Sequence, residues 1–347
     1  MADHMLSPDT QVTLLLCGRL GQPASEDAPP LTPSEYHRLT EWLESQGSRP
    51  ARLLEPGGLD LLPDEAGFAV DRDRIAALLE RGGSLALAVE SWANRGIWVL
   101  GRGDNAYPER LRRRLGRQAP LLLYGAGNLD LLQGGGLAVA GSRDADAGAI
   151  DFTRRIAGAC AGEDIPIIAG GARGVDAEAI SSAIVEGGRA VGVLADSLAR
   201  AITARRYRDH LRDGALTLAS PFDPAAGFNV GNAMSRNKII YALGDWSLVT
   251  ACVARSGGTW AGAVENLKSR WSPLFVRAGD VMPEGNRLLI DGGGIALDPT
   301  ILDQPVGLRG WLDKRSVGWS DGNRDTRSGQ APGEGILKQL PLFGDPL

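Results

Sequence analysis

The chain has 347 residues, 43% of them hydrophobic, which is enough for one large α/β unit plus something smaller. Its 37 Lys and Arg stand against 42 Asp and Glu, a net charge of −5. The surface as a whole therefore does not bind polyanions, and any nucleic-acid site has to be a local basic patch. Three cysteines (Cys17, Cys160, Cys252) without CxxC spacing and three scattered histidines (His4, His37, His210) argue against a zinc centre or a disulfide frame. Each cysteine sits in an apolar context and is expected to be a small buried hydrophobe. No stretch approaches the ~18 consecutive apolar residues of a membrane span. The start Met1-Ala-Asp-His lacks the basic and apolar parts of a leader, and the protein is expected to be cytoplasmic.

The first expected element is a helix from Asp9-Thr10 to a stop at Gly18. After an acidic, Pro-rich loop from Gly21 to Pro30, a second helix opens with Thr32 as N-cap and Pro33 at its first position. Its Tyr36, Leu39, Trp42 and Leu43 are spaced to make one apolar face. Residues 71–95 predict two more short helices, which gives a small helical N-terminal domain over 1–95. Gly96 to Leu100 and Pro120 to Tyr124 are expected strands. Between them runs Glu109 to Arg117, the densest basic segment of the chain. It is either a solvated helix face or a nucleic-acid contact.

From Leu137 to Ala263 short apolar runs end in glycine turns that lead into helical patterns, the mark of βα units. The first turn is Gly141-Ser142-Arg143. The second is Gly170-Gly171-Ala172-Arg173-Gly174-Val175-Asp176, and the last is Ser256-Gly257-Gly258-Thr259. Ligands of open α/β sheets gather at the carboxyl ends of the strands. Exposed N–H groups, helix N-termini and guanidinium groups together suit an anion. Ser235-Arg236-Asn237-Lys238 adds two cations and two polar groups before Ile239-Ile240. Each piece has a structural alternative: a tight strand–helix connection with Asp176 capping the helix, or a plain surface helix start. No G-x-G-x-x-G and no G-K-[ST] follows a strand, so neither a dinucleotide nor P-loop chemistry is supported. No catalytic triad or carboxylate pair stands out, and no metal or cofactor is expected. From Gly307 the pattern changes, and 307–347 is expected to be a flexible linker ending in the short apolar cluster Leu340, Leu342 and Phe343.

In that order, these motifs resemble the DprA/Smf family, as do Tyr107-Pro108, Tyr124-Gly125 and Gly285-Asn286 to Gly292 around them. Ile180 stands near a place where the family usually has a histidine, and Lys238 where it usually has arginine. The resemblance implies an α/β fold with a Rossmann-like, doubly wound, mostly parallel sheet over 96–306, preceded by the helical domain and followed by a disordered tail. It implies a non-enzymatic protein that binds single-stranded DNA, protects it and promotes RecA loading in recombination or natural transformation, and that forms a homodimer. The expected phosphate contacts are Gly141, Ser142, Arg143, Gly170, Gly171, Arg173, Gly174, Arg236, Asn237, Lys238, Ser256 and Gly257. The segment with Gln339, Leu340, Leu342 and Phe343 resembles the peptide by which bacterial proteins dock on the sliding clamp; the alternative is a tail packed on its own domain. A second reading also stays open. Ser256 to Thr259 with Glu265 downstream loosely resembles the lysine-decarboxylase-like nucleoside-phosphate hydrolases, in which Glu265 would be the general acid or base, in a nucleotide sensor or N-glycosidic hydrolase of phage defence.

Overall fold

The computed structural model describes residues 6–20, 28–63 and 70–319. The tail segment 339–343 lies outside the described residues.

The N-terminal helices form where their caps are written. The first spans Pro8–Cys17, two residues ahead of the expected start, because Ser7 accepts from the Thr10 N–H at 3.2 Å. The second spans Pro33–Ser45 behind Thr32. The Glu35 N–H donates to Thr32 Oγ1 at 3.3 Å, and the Thr32 N–H donates to Glu35 Oε2 at 2.7 Å, which satisfies two orphan donors reciprocally. Arg74, from the helix Arg72–Leu79, donates to Glu35 Oε1 at 2.8 Å. Val12, Leu16, Leu39, Leu43, Ile75 and Leu78 close a small core here. The other side of the first helix does something else. Leu14 and Leu15 join Leu85 and Trp92, of the helix Gly82–Ala93, in the main core beneath the sheet.

The Arg74 guanidinium and the Thr32 hydrogen bonds hold the Glu35 carboxyl down at about 2. A carboxyl whose folded pKa lies below its unfolded value stabilises the fold above about 4.5, and this contribution fades as pH falls toward about 2. Glu35→Gln is therefore expected to cost about 1–3 kcal/mol near neutrality. Urea midpoints of variant and parent should converge as pH drops from 5 toward 3; a constant gap would show that the charge is not the cause.

Among the described residues nine strands build one sheet: β1 (Trp98–Gly101), β2 (Leu122–Gly127), β3 (Leu137–Ala140), β4 (Ile167–Ala169), β5 (Ala190–Val193), β6 (Leu216–Ser220), β7 (Trp246–Val249), β8 (Leu274–Arg277) and β9 (Ile295–Leu297). Their order is β1-β2-β6-β5-β4-β3-β7-β8-β9. β1–β2 and β2–β6 are antiparallel, and every other pairing is parallel. The interior strands are apolar on both faces, as a sheet covered on both sides requires. Leu137, Val139 and Ile167 point to one layer with Phe152 and Ile156 of the helix Ala147–Gly162 and Ala179 of the helix Val175–Val185. Ala138, Ile168 and Val191 point to the other, with Ile239 and Ile240 of the helix Val230–Leu243 and Trp260 of the helix Gly257–Ser269. The chain leaves β3 over one face and reaches β7 over the other. β3 and β7 therefore flank the topological switch, where a crevice opens at the carboxyl ends.

The basic run 109–117 divides: Glu109, Arg113 and Arg117 are exposed, while Arg110 and Arg114 are taken up by the fold. Arg110 donates to the Leu243 carbonyl at 2.7 Å and to Asp245 at 2.8 Å. Arg114 donates to the carbonyls of Ala242 and Gly244. Both clamp the C-terminus of Val230–Leu243, where cations complement the helix dipole and its orphan carbonyls. Arg112 and Arg117 pair with Glu109 and Glu41. The stretch after Gly307 does not begin as a linker. Leu308–Arg315 is a helix whose Leu308 and Leu312 are buried in the main core, and its first N–H groups donate to the Glu163 carboxylate. Among the described residues no helix is long and apolar enough to cross a membrane.

Candidate nucleic-acid interface

Three strand-end turns meet above β3, β4 and β7, and glycine is what lets them meet. A Cβ on Gly141 would lie 2.5 Å from Val175 Cγ2 and 2.7 Å from Thr250 Oγ1. Gly174 holds φ +84°, and a Cβ there would lie 2.5 Å from the Ser142 carbonyl oxygen and 2.6 Å from that of Arg143. The turns are tied as well as packed. The Ser142 N–H donates to Ala251 O at 2.9 Å, and the Val175 N–H to Ser142 O at 3.3 Å.

Asp176 does not cap its own helix; Gly174 occupies the cap position. The buried carboxylate instead reaches back and accepts the Gly170 N–H at 3.1 Å and a backbone hydrogen bond from Gly141. It thus joins the turn after β3 to the turn after β4. Burial pushes the carboxyl up to about 6, against the pull of Arg236 and of these two hydrogen bonds.

Arg236 was expected at the surface and lies inside. Only 4% of it is exposed, and it donates to the carbonyls of Gly170, at 2.6 Å, and of Val193. Its place on Val230–Leu243 faces it toward the strand ends. Lys238, two residues on, faces elsewhere, and its Nζ donates to Gln118 Oε1 at 3.1 Å. It lines neither cavity described below and is not part of the assembled site. Asn237 remains at the site and donates to the Gly258 carbonyl at 3.0 Å.

Two cavities open over these turns. The first, of about 490 Å³, lies between the turn after β3, the N-terminus of Gly257–Ser269 and the helix Val230–Leu243. Gly141, Ser142, Arg143, Asn237, Ser256 and Gly257 line it. The second, of about 500 Å³, lies over the ends of β4 and β5 and takes in Gly170, Gly171 and Arg173. Arg143, Ala172, Phe228, Ala233 and Arg236 line both, so the two form one groove. Gly174 lines neither and acts by shaping the turn.

Sequence reasoning missed three side chains of this groove: Phe228, Arg200 and Arg206. None sits in a glycine turn directly after a strand: Phe228 follows Gly227, but the strand before it ends at Ser220. Phe228 is 57% exposed, and the Arg143 guanidinium stands 5.8 Å above its ring. Among the described residues Arg143 has no carboxylate partner, whereas Arg173 pairs with Asp144 at 2.7 Å and Arg200 lies 3.8 Å from Asp196. Arg143 shares this lack with Arg206, which is exposed and stands over the Tyr207 ring at 4.6 Å. Glu265 lies eight residues into its helix, about 12 Å along the axis from the N-terminus. It lines neither cavity, and burial pushes its carboxyl up while Lys238 opposes this. The structure does not bring it to the groove as an acid or base.

A family model described as DNA recombination-mediator protein A matches residues 98–291, from β1 to the helix after β8. The chain belongs to this family. In fold it is similar to DNA processing protein A from Streptococcus pneumoniae, at 19% identity and TM-score 0.65 over 87% of this chain and 99% of that one. It also matches DNA processing protein A from Helicobacter pylori, described for its single-stranded DNA binding mode. That match has 20% identity and TM-score 0.49 over 63% of this chain and 94% of that one. No curated protein matches the sequence. The family match begins at β1, so the helices before it lie outside the matched segment.

Proposed function

We propose that the groove binds single-stranded DNA and that the protein serves recombination by holding a strand and passing it to the RecA recombinase. The observation that carries this reading is the continuity of the two cavities through Arg143, Phe228 and Arg236, with Arg173, Arg200 and Arg206 farther along. A groove that continues past one phosphate suits a chain rather than a single nucleotide. Guanidinium groups beside an exposed aromatic ring supply the charge and the stacking platform that such chains use. Family membership supports a role in recombination.

Fluorescence anisotropy with labelled oligo-dT of several lengths, and with AMP as competitor, tests this. Affinity is expected to rise with length until the groove is filled. It should fall with salt at a log–log slope of roughly −0.7 per phosphate neutralised. A flat salt response, or release of free base from AMP, would overturn the reading.

The Asp176 carboxyl on the groove floor adds a pH signature. Near neutrality it is ionised and repels a strand's phosphates. Its folded pKa is raised, so the proton goes on as pH falls through about 6, and the groove loses one negative charge. Affinity for oligo-dT should therefore rise from pH 7.5 to 5.5 by roughly threefold to tenfold. Equal affinities across that window would show that no phosphate comes near Asp176.

A further inference from the structure

Strand binding does not account for the whole rim of the groove. Phe228, Val230 and Val253 stand around the first cavity with 57%, 68% and 62% of their surface exposed. A strand's phosphates call for Arg143 and its bases for a ring such as Phe228, but two valines offer neither charge nor a stacking plane. Exposed apolar side chains gathered on one opening mark a docking surface for an apolar partner.

The chain carries such a partner within reach. Trp319, the last described residue, lies under the Arg270 guanidinium at 4.6 Å. Arg270 caps the C-terminal end of the helix Gly257–Ser269. The opposite end of that helix, at Ser256 and Gly257, lines the cavity. Its 13 residues set the way from Trp319 to the rim at about 20 Å. Residues 320–335 are polar and glycine-rich, and the next large apolar residues are Ile336, Leu337, Leu340, Leu342 and Phe343. A connection of that composition has a root-mean-square span of about 5–6 Å times the square root of its length, about 25 Å from Trp319 to Leu340. A tether whose span matches the distance presents its end at an effective concentration near the millimolar range, so even a weak contact is occupied. The charges match as well. Arg143 stands 5.8 Å above the Phe228 ring and has no carboxylate within ion-pair distance among the described residues. Asp345 follows Phe343 by two positions, and residues two apart on an extended segment share a face about 7 Å apart. A segment that lays Phe343 on Phe228 therefore brings the Asp345 carboxylate to Arg143.

We propose that residues 336–345 dock on this rim and close the entrance of the groove, with Phe343 on Phe228, Asp345 at Arg143 and the leucines ahead of them over the two valines. The segment offers a ring and an anion where a strand offers a base and a phosphate, and a strand enters by displacing it. The inference rests on the single-strand reading for its consequence. It goes beyond that reading by giving the groove an occupant from its own chain, one that lowers affinity for every strand alike.

The test uses the full chain and three variants of it: a tail variant with Leu342→Ala and Phe343→Ala, a rim variant with Val230→Ser and Val253→Ser, and the four changes combined. With the entrance free about one fifth of the time, apparent affinity falls in that proportion. The tail variant should therefore bind labelled oligo-dT about fivefold more tightly than the parent. The rim variant should gain about as much, and the combined variant no more than either, because both pairs of changes remove one contact. A labelled peptide of residues 336–347 should bind the tail variant at sub-millimolar concentration, be displaced by oligo-dT and fail to bind the combined variant. Unchanged or weaker oligo-dT binding by the tail or the rim variant, gains that add, or a peptide that binds the combined variant equally well overturns the docking and leaves the single-strand reading in place. If no chain binds oligo-dT, the single-strand reading falls and the peptide alone decides. Bound by the tail variant and lost from the combined one, the segment docks on the rim; bound by neither, it does not.

Discussion

Gly174→Ala is expected to cost about 2–4 kcal/mol of stability and to abolish measurable oligo-dT binding by the folded fraction. Gly174 sits at φ +84°, ψ −133°, backbone that is nearly reserved for glycine, where strain alone costs about 1–3 kcal/mol. The new Cβ would also press on the carbonyl oxygens of Ser142 and Arg143 at 2.5 and 2.6 Å. These are backbone atoms of the neighbouring turn and cannot rotate away. The relief available is to move that turn, and Arg143 moves with it. Gly187→Ala separates the two causes. Gly187 has φ +77° but nothing within 4 Å of the added atom, so it bears conformational strain alone, about 1–2 kcal/mol, and binding should survive. Urea denaturation and anisotropy on both variants check this. Equal costs, or a Gly174→Ala protein that binds like the parent, would show that the turns are not locked to each other.

What the sequence disclosed follows from the range of each interaction. The strand-end turns and the second helix were legible because their signals are local: glycine before a helical pattern, or Thr32-Pro33 with Glu35 three positions on. The three turns do converge at the β3–β7 switch. The failures are residues whose partners lie far along the chain. Arg110 and Arg114 form part of a basic run, and nothing near them reveals that they end on carbonyls of residues 242–244. Arg236 and Lys238 are two apart and so diverge on a helix. Only the packing of Val230–Leu243 shows that the first turns inward and the second away. Leu308 and Leu312 are spaced for one helix turn, but the polar residues after them masked it.

The same long-range ties explain why the site is made of buried charge. Asp176 and Arg236 do not form an ion pair within 4 Å among the described residues. Each is hydrogen-bonded to backbone instead, Asp176 to N–H groups of Gly170 and Gly141 and Arg236 to carbonyls of Gly170 and Val193. Gly170 is held from both sides, and a Cβ there would strike both side chains. These two residues position the turns, while the exposed guanidinium groups are left to meet a ligand. Arg236→Ala should accordingly lower stability, since two carbonyls lose their donor, and not merely affinity.

Arg143→Ala should weaken oligo-dT binding by roughly 1–3 kcal/mol, the range for a charge-assisted contact, with the urea midpoint unchanged. Among the described residues it has no carboxylate within ion-pair distance and stands over the Phe228 ring, so the fold loses little. Phe228→Ala should cost a similar amount, roughly 1–3 kcal/mol for a stacked base, and with 57% of the residue exposed it too should leave stability alone. The pair should be less than additive. The guanidinium stands over the ring at 5.8 Å, and each side chain orders the other for the strand, so the double variant loses less than the sum. Lys238→Ala is the matched control, because it removes a cation of the same motif that faces Gln118, and it should change affinity less than threefold. Anisotropy at fixed salt across these four proteins decides where the strand runs. A loss on Lys238→Ala as large as that on Arg143→Ala would move it off the groove and onto the opposite side of Val230–Leu243.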